Sequence, residues 1–327
     1  DFCLSRGLGD VYKRQVLYLV IPCYNEELVL DITTEQLTTK LNTLISENKI
    51  SKNSRILYVD DGSKDSTWDK ILDANKVNKL ICGVKLSRNM GHQNALLAGL
   101  VTANKYADIT ISMDADLQDD IDVIDKMIDE YNSGAEIVYG VRSSRENDTF
   151  FKKSTAEAFY KMMKIMGVEI VFNHADCRLM SKVALDGLEQ FEETNLFLRG
   201  IVPQIGYKSS VVYYKRNSRV AGESKYPLKK MIKFAMEGVT SFSVKPLKMI
   251  TNIGFIMSLF SAVIMIYSLV VKIIGKAVSG WTFIIISIWL VAGIQMLSMG
   301  IIGEYIGKIY KETKHRPKYI IERELID

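Results

Sequence analysis

Cysteine and histidine are scarce in this chain, four and three residues in 327. Cys3, Cys23, Cys82 and Cys177 show neither paired nor metal-type spacing, which excludes a disulfide framework and a cysteine-based metal site and leaves reduced, buried thiols. Such thiols suit a cytosolic face. The histidines lack metal spacing as well, so His92 and His174 receive no direct chemical role. An excess of one charge is also missing: 42 Lys and Arg against 38 Asp and Glu leave +4. No global field argues for nucleic acid, and none is expected as a partner. There is no secretory signal pattern, internal repeat or low-complexity tract. Residues 1–15, "DFCLSRGLGDVYKRQ", lack apolar periodicity and abut a strong strand, so they read as a leader foreign to the fold. Their "GLG" has no strand before it to make a nucleotide loop.

Apolar residues, at 48%, are plentiful. Ile250 to Val271 holds 22 residues without a charge and Ala277 to Gly303 holds 27. Each matches the roughly 20 residues that a helix needs to cross about 30 Å of hydrocarbon. A two-helix transmembrane hairpin is expected, with Trp281 at an interface. The basic flanks "KPLKM" and "GKIYKETKHRPK" put its open end in the cytoplasm, against a weaker opposing vote from Lys272 and Lys276. Just before it, Lys229, Lys230 and Lys233 alternate with Met231, Ile232, Phe234 and Met236, the pattern of an interfacial helix. Small residues Gly293, Ser298, Gly300 and Gly303 would let a homo-oligomer pack closely.

From Val16 to Val141, β-branched runs alternate with amphipathic ones. Strands are expected at 16–22, 55–61, 81–86, 107–114 and 135–141, and helices at 27–47, 66–76, 91–105 and 120–131. This order implies an α/β fold with a mostly parallel sheet, helices on both faces, and ligands at the carboxyl ends of the strands. The polar clusters obey that rule: "CYNEE", "DDGSKDST", "SRNMGH" and "DADLQDD" each follow an apolar strand. Beyond Val141 the spacing predicts a basic amphipathic helix over 142–166, a loop "NHADCRLMS", a short helix at 182–189, and a strand "KSSVVYYKR".

Asp114 and Asp116, two apart in an extended segment, point to one side. With Gln118 they make an all-oxygen set for Mg²⁺ or Mn²⁺. Such an ion would neutralise a diphosphate leaving group. Asp119 and Asp120 read instead as the start of the next helix, where its dipole favours acid. Asp60 and Asp61 end an apolar strand before Gly62, and acceptor-only side chains there suit base N–H or ribose hydroxyl groups. Asp65 reads as a helix cap.

"VIPCYNEE", "VDDGSKDST", "SRNMGHQNALLAGL" and "MDADLQD", in this order and ahead of the apolar hairpin, closely resemble the family 2 glycosyltransferases that charge polyprenyl phosphate, the bactoprenol glucosyltransferase and dolichyl-phosphate mannosyltransferase group. The likeness covers about Val16 to Arg316. It implies a GT-A (Rossmann-like) fold and inverting transfer from a UDP-sugar donor, glucose by preference, to undecaprenyl phosphate. Residue by residue, it implies that Pro22, Tyr24, Glu26, Asp60, Asp61, Lys85 and Asp114 line the nucleotide-sugar pocket, with Asp114, Asp116 and Gln118 on the metal. Arg142, Arg145, Lys152, Lys153 and Ser154 fall where the family gathers the acceptor phosphate. Arg216, Arg219, Ser224 and Lys225 lie in a loop expected to close over the diphosphate, with Lys225 foremost.

Asp176 takes the catalytic-base position by the same likeness. A phosphate monoester with a second pKa near about 6 is already mostly ionised at neutral pH, so orienting the nucleophile or a cation is an equal duty for that carboxylate. The likeness also implies a bacterial cytoplasmic membrane location, multi-pass, with the catalytic domain cytoplasmic. The expected division is a leader at 1–15, a catalytic domain at 16–226, an interfacial region at 227–248, two spans within 249–303 and a cytoplasmic tail at 304–327. A sugar-nucleotide pyrophosphorylase is disfavoured because the first strand end lacks a Gly-rich basic loop. A processive synthase is disfavoured by the absence of a Gln-x-x-Arg-Trp segment. The rivals are another donor, GDP-mannose or a UDP-aminosugar, and an inactive membrane scaffold.

Overall fold

A computed structural model describes residues 14–142, 174–194, 196–215, 245–274 and 280–326. They fall into two compact units, one drawn from Asp1–Thr155, Val171–Lys225 and Pro317–Asp327, the other from Ala156–Ile170 and Tyr226–Arg316. The expected helix over 142–166 lies outside the described residues except for Arg142, as do the loop carrying Lys225 and most of the interfacial region.

The first unit is built on an 8-stranded sheet. Its strands are β1 (Leu17–Cys23), β2 (Arg55–Asp60), β3 (Ile81–Leu86), β4 (Ile109–Ser112), β5 (Ile137–Arg142), β6 (His174–Ser181), β7 (Ser209–Tyr214) and β8 (Ile321–Leu325), in the order β7-β5-β6-β4-β1-β2-β3-β8. The ladders β1–β2, β2–β3, β1–β4 and β5–β7 are parallel, and only β6 and β8 run against the rest. Helices α1 (Leu30–Ser46), α2 (Thr67–Val77), α3 (His92–Asn104) and α4 (Val123–Asn132) connect the first five strands. Two short helices follow β6, α5 (Lys182–Glu189) and α6 (Leu198–Ile201). The expected α/β fold with a mostly parallel sheet is present.

Every residue of β1, "LYLVIPC", is buried, the continuous pattern of a strand covered on both faces. Alternation along the strands sorts the layers. Leu19, Ile21, Tyr58 and Ile111 share a core with Leu37 and Leu41 of α1, Trp68 and Ile71 of α2, and Met127 of α4. On the opposite face Val20 and Val59 meet α3. A Cβ on Gly99 would lie 2.5 Å from Val20 and 2.6 Å from Val59, so glycine lets that helix sit close to the sheet.

Three expectations change. "HADCRLMS" is not a loop but β6, wedged antiparallel between β4 and β5. Its polar letters hid an alternation in which Cys177 and Leu179 enter the core. The expected tail at 304–327 contributes a strand: Ile321–Leu325 pairs with β3, and Leu325 lies beside Gly83. Asp119 and Asp120 do not begin a helix, since α4 starts at Val123 and Asp119 is buried.

The second unit contains α7 (Lys245–Ile273) and α8 (Trp281–Glu312), in place of the two expected spans. Among the described residues no helix is long and apolar enough to cross a membrane. That finding overturns the multi-pass cytoplasmic-membrane location. A run without charge is a weaker condition than sustained apolarity. Those runs include Thr251, Asn252, Ser268, Ser287 and Gln295, and α8 continues into Glu304, Lys308 and Lys311.

Candidate active site

The carboxyl ends of β1 and β2 run into two loops laced to each other. The Asn25 N–H donates to Ser63 Oγ at 3.0 Å, and Asn25 Oδ1 accepts from the Lys64 N–H at 2.9 Å. The Glu26 N–H donates to Thr67 Oγ1 at 2.9 Å, and Glu27 Oε2 accepts from the Ser66 N–H at 3.0 Å. Asp65 stands one residue before Ser66, the cap position of α2, and its Oδ1 accepts from the Thr67 N–H at 3.1 Å. These bonds give the β1 and β2 ends one shared rim, carrying Pro22 on β1 and the exposed ring of Tyr24 just beyond it.

Adjacent carboxylates at the end of β2 differ. Asp61 is committed to the fold, its Oδ1 accepting from the Met90 N–H at 2.6 Å and its Oδ2 from the Gly91 N–H at 2.9 Å. It thereby fixes the turn that starts α3. Asp60 is fully buried, and Oδ1 accepts from the Ser63 N–H at 3.0 Å while Oδ2 has no partner among the described residues. Burial pushes both carboxyls up, against the pull of those N–H donors. Lys85 pairs in register with Asp60 across β2–β3, and its Nζ lies 3.4 Å from Glu322 of β8.

The densest charge sits where β4 ends and β6 begins. Asp176 is gripped at two points by Arg199, Nε to Oδ1 at 3.0 Å and Nη2 to Oδ2 at 3.0 Å. His92 Nε2 lies 3.7 Å from Asp176 Oδ2 and 3.8 Å from Asp114 Oδ1. Neighbours in sequence hold this geometry. The Leu198 N–H donates to Gln93 Oε1 at 2.9 Å, tying the start of α3 to α6, and Ser112 Oγ donates to the Asp176 carbonyl at 2.6 Å.

Electrostatics then separate the two acids. Burial would raise Asp176, but the charge and hydrogen bonds of Arg199, aided by His92 and Arg178, hold it well below the usual carboxylate range. Asp114 is pushed up to about 6 by desolvation, with Asp176, Asp119 and Asp116 adding repulsion that His92 only partly offsets. Arg178 lies beneath, buried at 2% exposure, with its Nε and one Nη unpartnered among the described residues and its guanidinium 5.8 Å from the Tyr139 ring centroid.

A divalent cation fits this donor set. One ligand atom from each of His92, Asp114 and Asp176 lies within 4.8 Å of the others, and the desolvated, mutually repelling carboxylates favour positive charge. Asp116 and Gln118 continue the loop from Asp114 but are not in that cluster; Asp116 Oδ1 accepts from the Gln118 N–H at 3.2 Å. Arg142 is turned to Asp119, its Nη2 donating to Oδ1 at 3.2 Å. Arg145, Lys152, Lys153, Ser154 and Lys225 lie outside the described residues. Arg199 and Arg178 escaped sequence reasoning because nothing local marks either. His92 carried a signal, a strand end followed by Gly91, but motif spacing discounted it.

The Glycosyl transferase family 2 profile matches residues 18–188. Among curated relatives, the chain is 53% identical over 313 residues to the "Uncharacterized glycosyltransferase YkoT" of Bacillus subtilis, spanning 96% of this chain and 93% of the relative. It is 39% identical over 312 residues to the "Bactoprenol glucosyl transferase" of Shigella phage SfV, spanning 94% and 98%. The "Prophage bactoprenol glucosyl transferase homolog" of Escherichia coli K12 is 39% identical across 93% and 98%.

Proposed function

We propose, from the premise that this chain belongs to glycosyl transferase family 2, that it moves a hexose, glucose by preference, from a UDP-sugar to a polyprenyl phosphate with inversion at C1. The observation that carries this reading is its likeness to bactoprenol glucosyl transferases over nearly the full length of both chains. The chain is a glycosyltransferase; donor, acceptor and metal dependence are the proposed part.

The residues supply a consistent chemistry. Asp60 directs a buried Oδ2, without a partner among the described residues, that suits a base N–H or ribose hydroxyl of the donor. Asp114 would hold a divalent cation together with His92 and Asp176, or with Asp116 and Gln118 of its own loop. That cation, when bound, neutralises charge on the departing diphosphate. A phosphate oxygen of the acceptor forms the bond to C1 as the C1–O bond to the diphosphate breaks, and UDP leaves with that electron pair. The acceptor phosphate arrives mostly ionised, and Asp176 is held ionised by Arg199, so its carboxylate orients groups rather than waiting as a strong base.

The test uses purified full-length chain with detergent-dispersed undecaprenyl phosphate, Mn²⁺ or Mg²⁺, and radiolabelled UDP-glucose, GDP-mannose or a UDP-aminosugar. Label entering an organic-extractable product from UDP-glucose, abolished by EDTA, is expected. Transfer from another donor alone would replace glucose in the proposal, and label in no lipid product from any donor would end it.

A further inference from the structure

We propose that Tyr214, acting through Asp119 and beside Arg142, is a positioning residue for the loop from Asp114 to Gln118, a clamp by which the ends of β5 and β7 set the cation-binding side chains. The proposal rests on the transferase reading of the same site. Asp119 follows Gln118 directly and is 2% exposed. Its Oδ1 accepts from the Tyr214 hydroxyl at 2.6 Å and from Arg142 Nη2 at 3.2 Å. Arg142 and Tyr214 are register partners and the last residues of parallel neighbours β5 and β7. A buried carboxylate is costly without donors, so these two determine where the chain leaves the loop.

The other end of the loop is pinned to the opposite half of the sheet. The Met113 N–H donates to the Val20 carbonyl at 3.2 Å, and the Ala115 carbonyl accepts from Thr33 Oγ1 at 2.8 Å. Between the two anchors Leu117 has φ +52°, a left-handed conformation that leucine avoids. A residue stays there only when its surroundings over-determine it. The strained residue separates Asp116 from Gln118, so loosening the Asp119 end lets Leu117 relax and shifts those two side chains relative to Asp114. The clamp commits a buried tyrosine hydroxyl and a part-buried guanidinium to one carboxylate oxygen.

Tyr214→Phe tests this by removing one oxygen and keeping the ring. The readout is Mn²⁺ binding to the purified full chain, followed by electron paramagnetic resonance without donor or acceptor. A rise in Mn²⁺ Kd of about tenfold is expected, the scale on which outer partners of a metal site act. The Mn²⁺ concentration for half-maximal transfer should rise in parallel, with most of the rate returning at saturating Mn²⁺. Arg142→Lys should shift Mn²⁺ affinity the same way, and it stands in if Tyr214→Phe fails to fold. A lowered melting temperature with unchanged Mn²⁺ affinity overturns the clamp and leaves the transferase reading intact. A wild-type chain that binds no Mn²⁺ but still transfers sugar also overturns it, by removing the cation rather than the enzyme.

Discussion

Two pairs of aspartates, at strand ends on either side of β1, are satisfied by opposite means. At the end of β2, Asp61 takes two backbone N–H donors from the turn before α3, and Asp60 takes one from Ser63. At the junction of β4 and β6, Asp176 takes a guanidinium from α6, and Asp114 faces an imidazole from α3. Backbone donors bring little charge, so burial prevails and both β2 acids rise. A full cation reverses the balance for Asp176, whereas Asp114, without such a grip, stays raised. The first arrangement builds a rim; the second stores charge separation in a crevice.

Replacing Asp176 with Asn should strain this contrast most. A loss of about 10²–10³-fold in turnover is expected at both pH 6 and pH 8, in the range of removing one preorganised electrostatic group. Near-normal turnover at pH 8 with a loss confined to pH 6 would return Asp176 to the role of proton acceptor.

Arg199→Gln tests the cation itself. A depressed carboxyl contributes stability that is present above its ordinary range and is lost as pH falls through its native value, which for Asp176 lies well below that range. Removing Arg199 should therefore cost about 1.5–3 kcal/mol at pH 7, read by urea unfolding. The freed Asp176 should rise, so activity should fall away at a higher pH than in the wild type. An unchanged acid limb would show that Arg199 does not govern Asp176.

At the other pair, Asp61→Asn and Asp60→Asn should part company. Asn at 61 can accept one of the two N–H bonds and sets its own NH₂ against the other, for a cost of about 1–3 kcal/mol. A raised acid favours the folded state below its ordinary range and loses that contribution as pH climbs through its native value. Asp60→Asn removes that penalty at neutral pH, so melting temperature should hold or rise while donor KM increases several-fold. Equal stability losses in the two variants would dissolve the distinction. The smallest effect belongs to Lys85 and Glu322: Glu322→Gln should change stability by less than about 1 kcal/mol, as for a solvent-washed pair.

Much of the acidic crevice was legible in the sequence, because a parallel strand covered on both faces writes itself as an apolar run and the polar cluster after it marks the crevice. β1 to β5, Asp60 and Asp114 were accessible in this way. β6 was not, since its alternation carries Asp176 and Arg178 on the crevice side and reads as a polar loop until β4 and β5 close on it. The roles of Asp61 and Asp119 were also hidden: nothing in "VDDG" or "LQDD" says which acid is held by backbone N–H groups or by a tyrosine hydroxyl 95 residues away.

By itself the sequence determined the α/β order, the strand ends that carry acid, and the family likeness, all properties of local periodicity and motif. It also suggested membrane spans from runs without charge, and that inference did not survive. Only the tertiary structure decided which cation meets which carboxylate. Arg199, His92 and Asp176 lie far apart along the chain, and an ion pair depends on distance in space, over a few ångströms of poorly hydrated protein, not on distance in sequence.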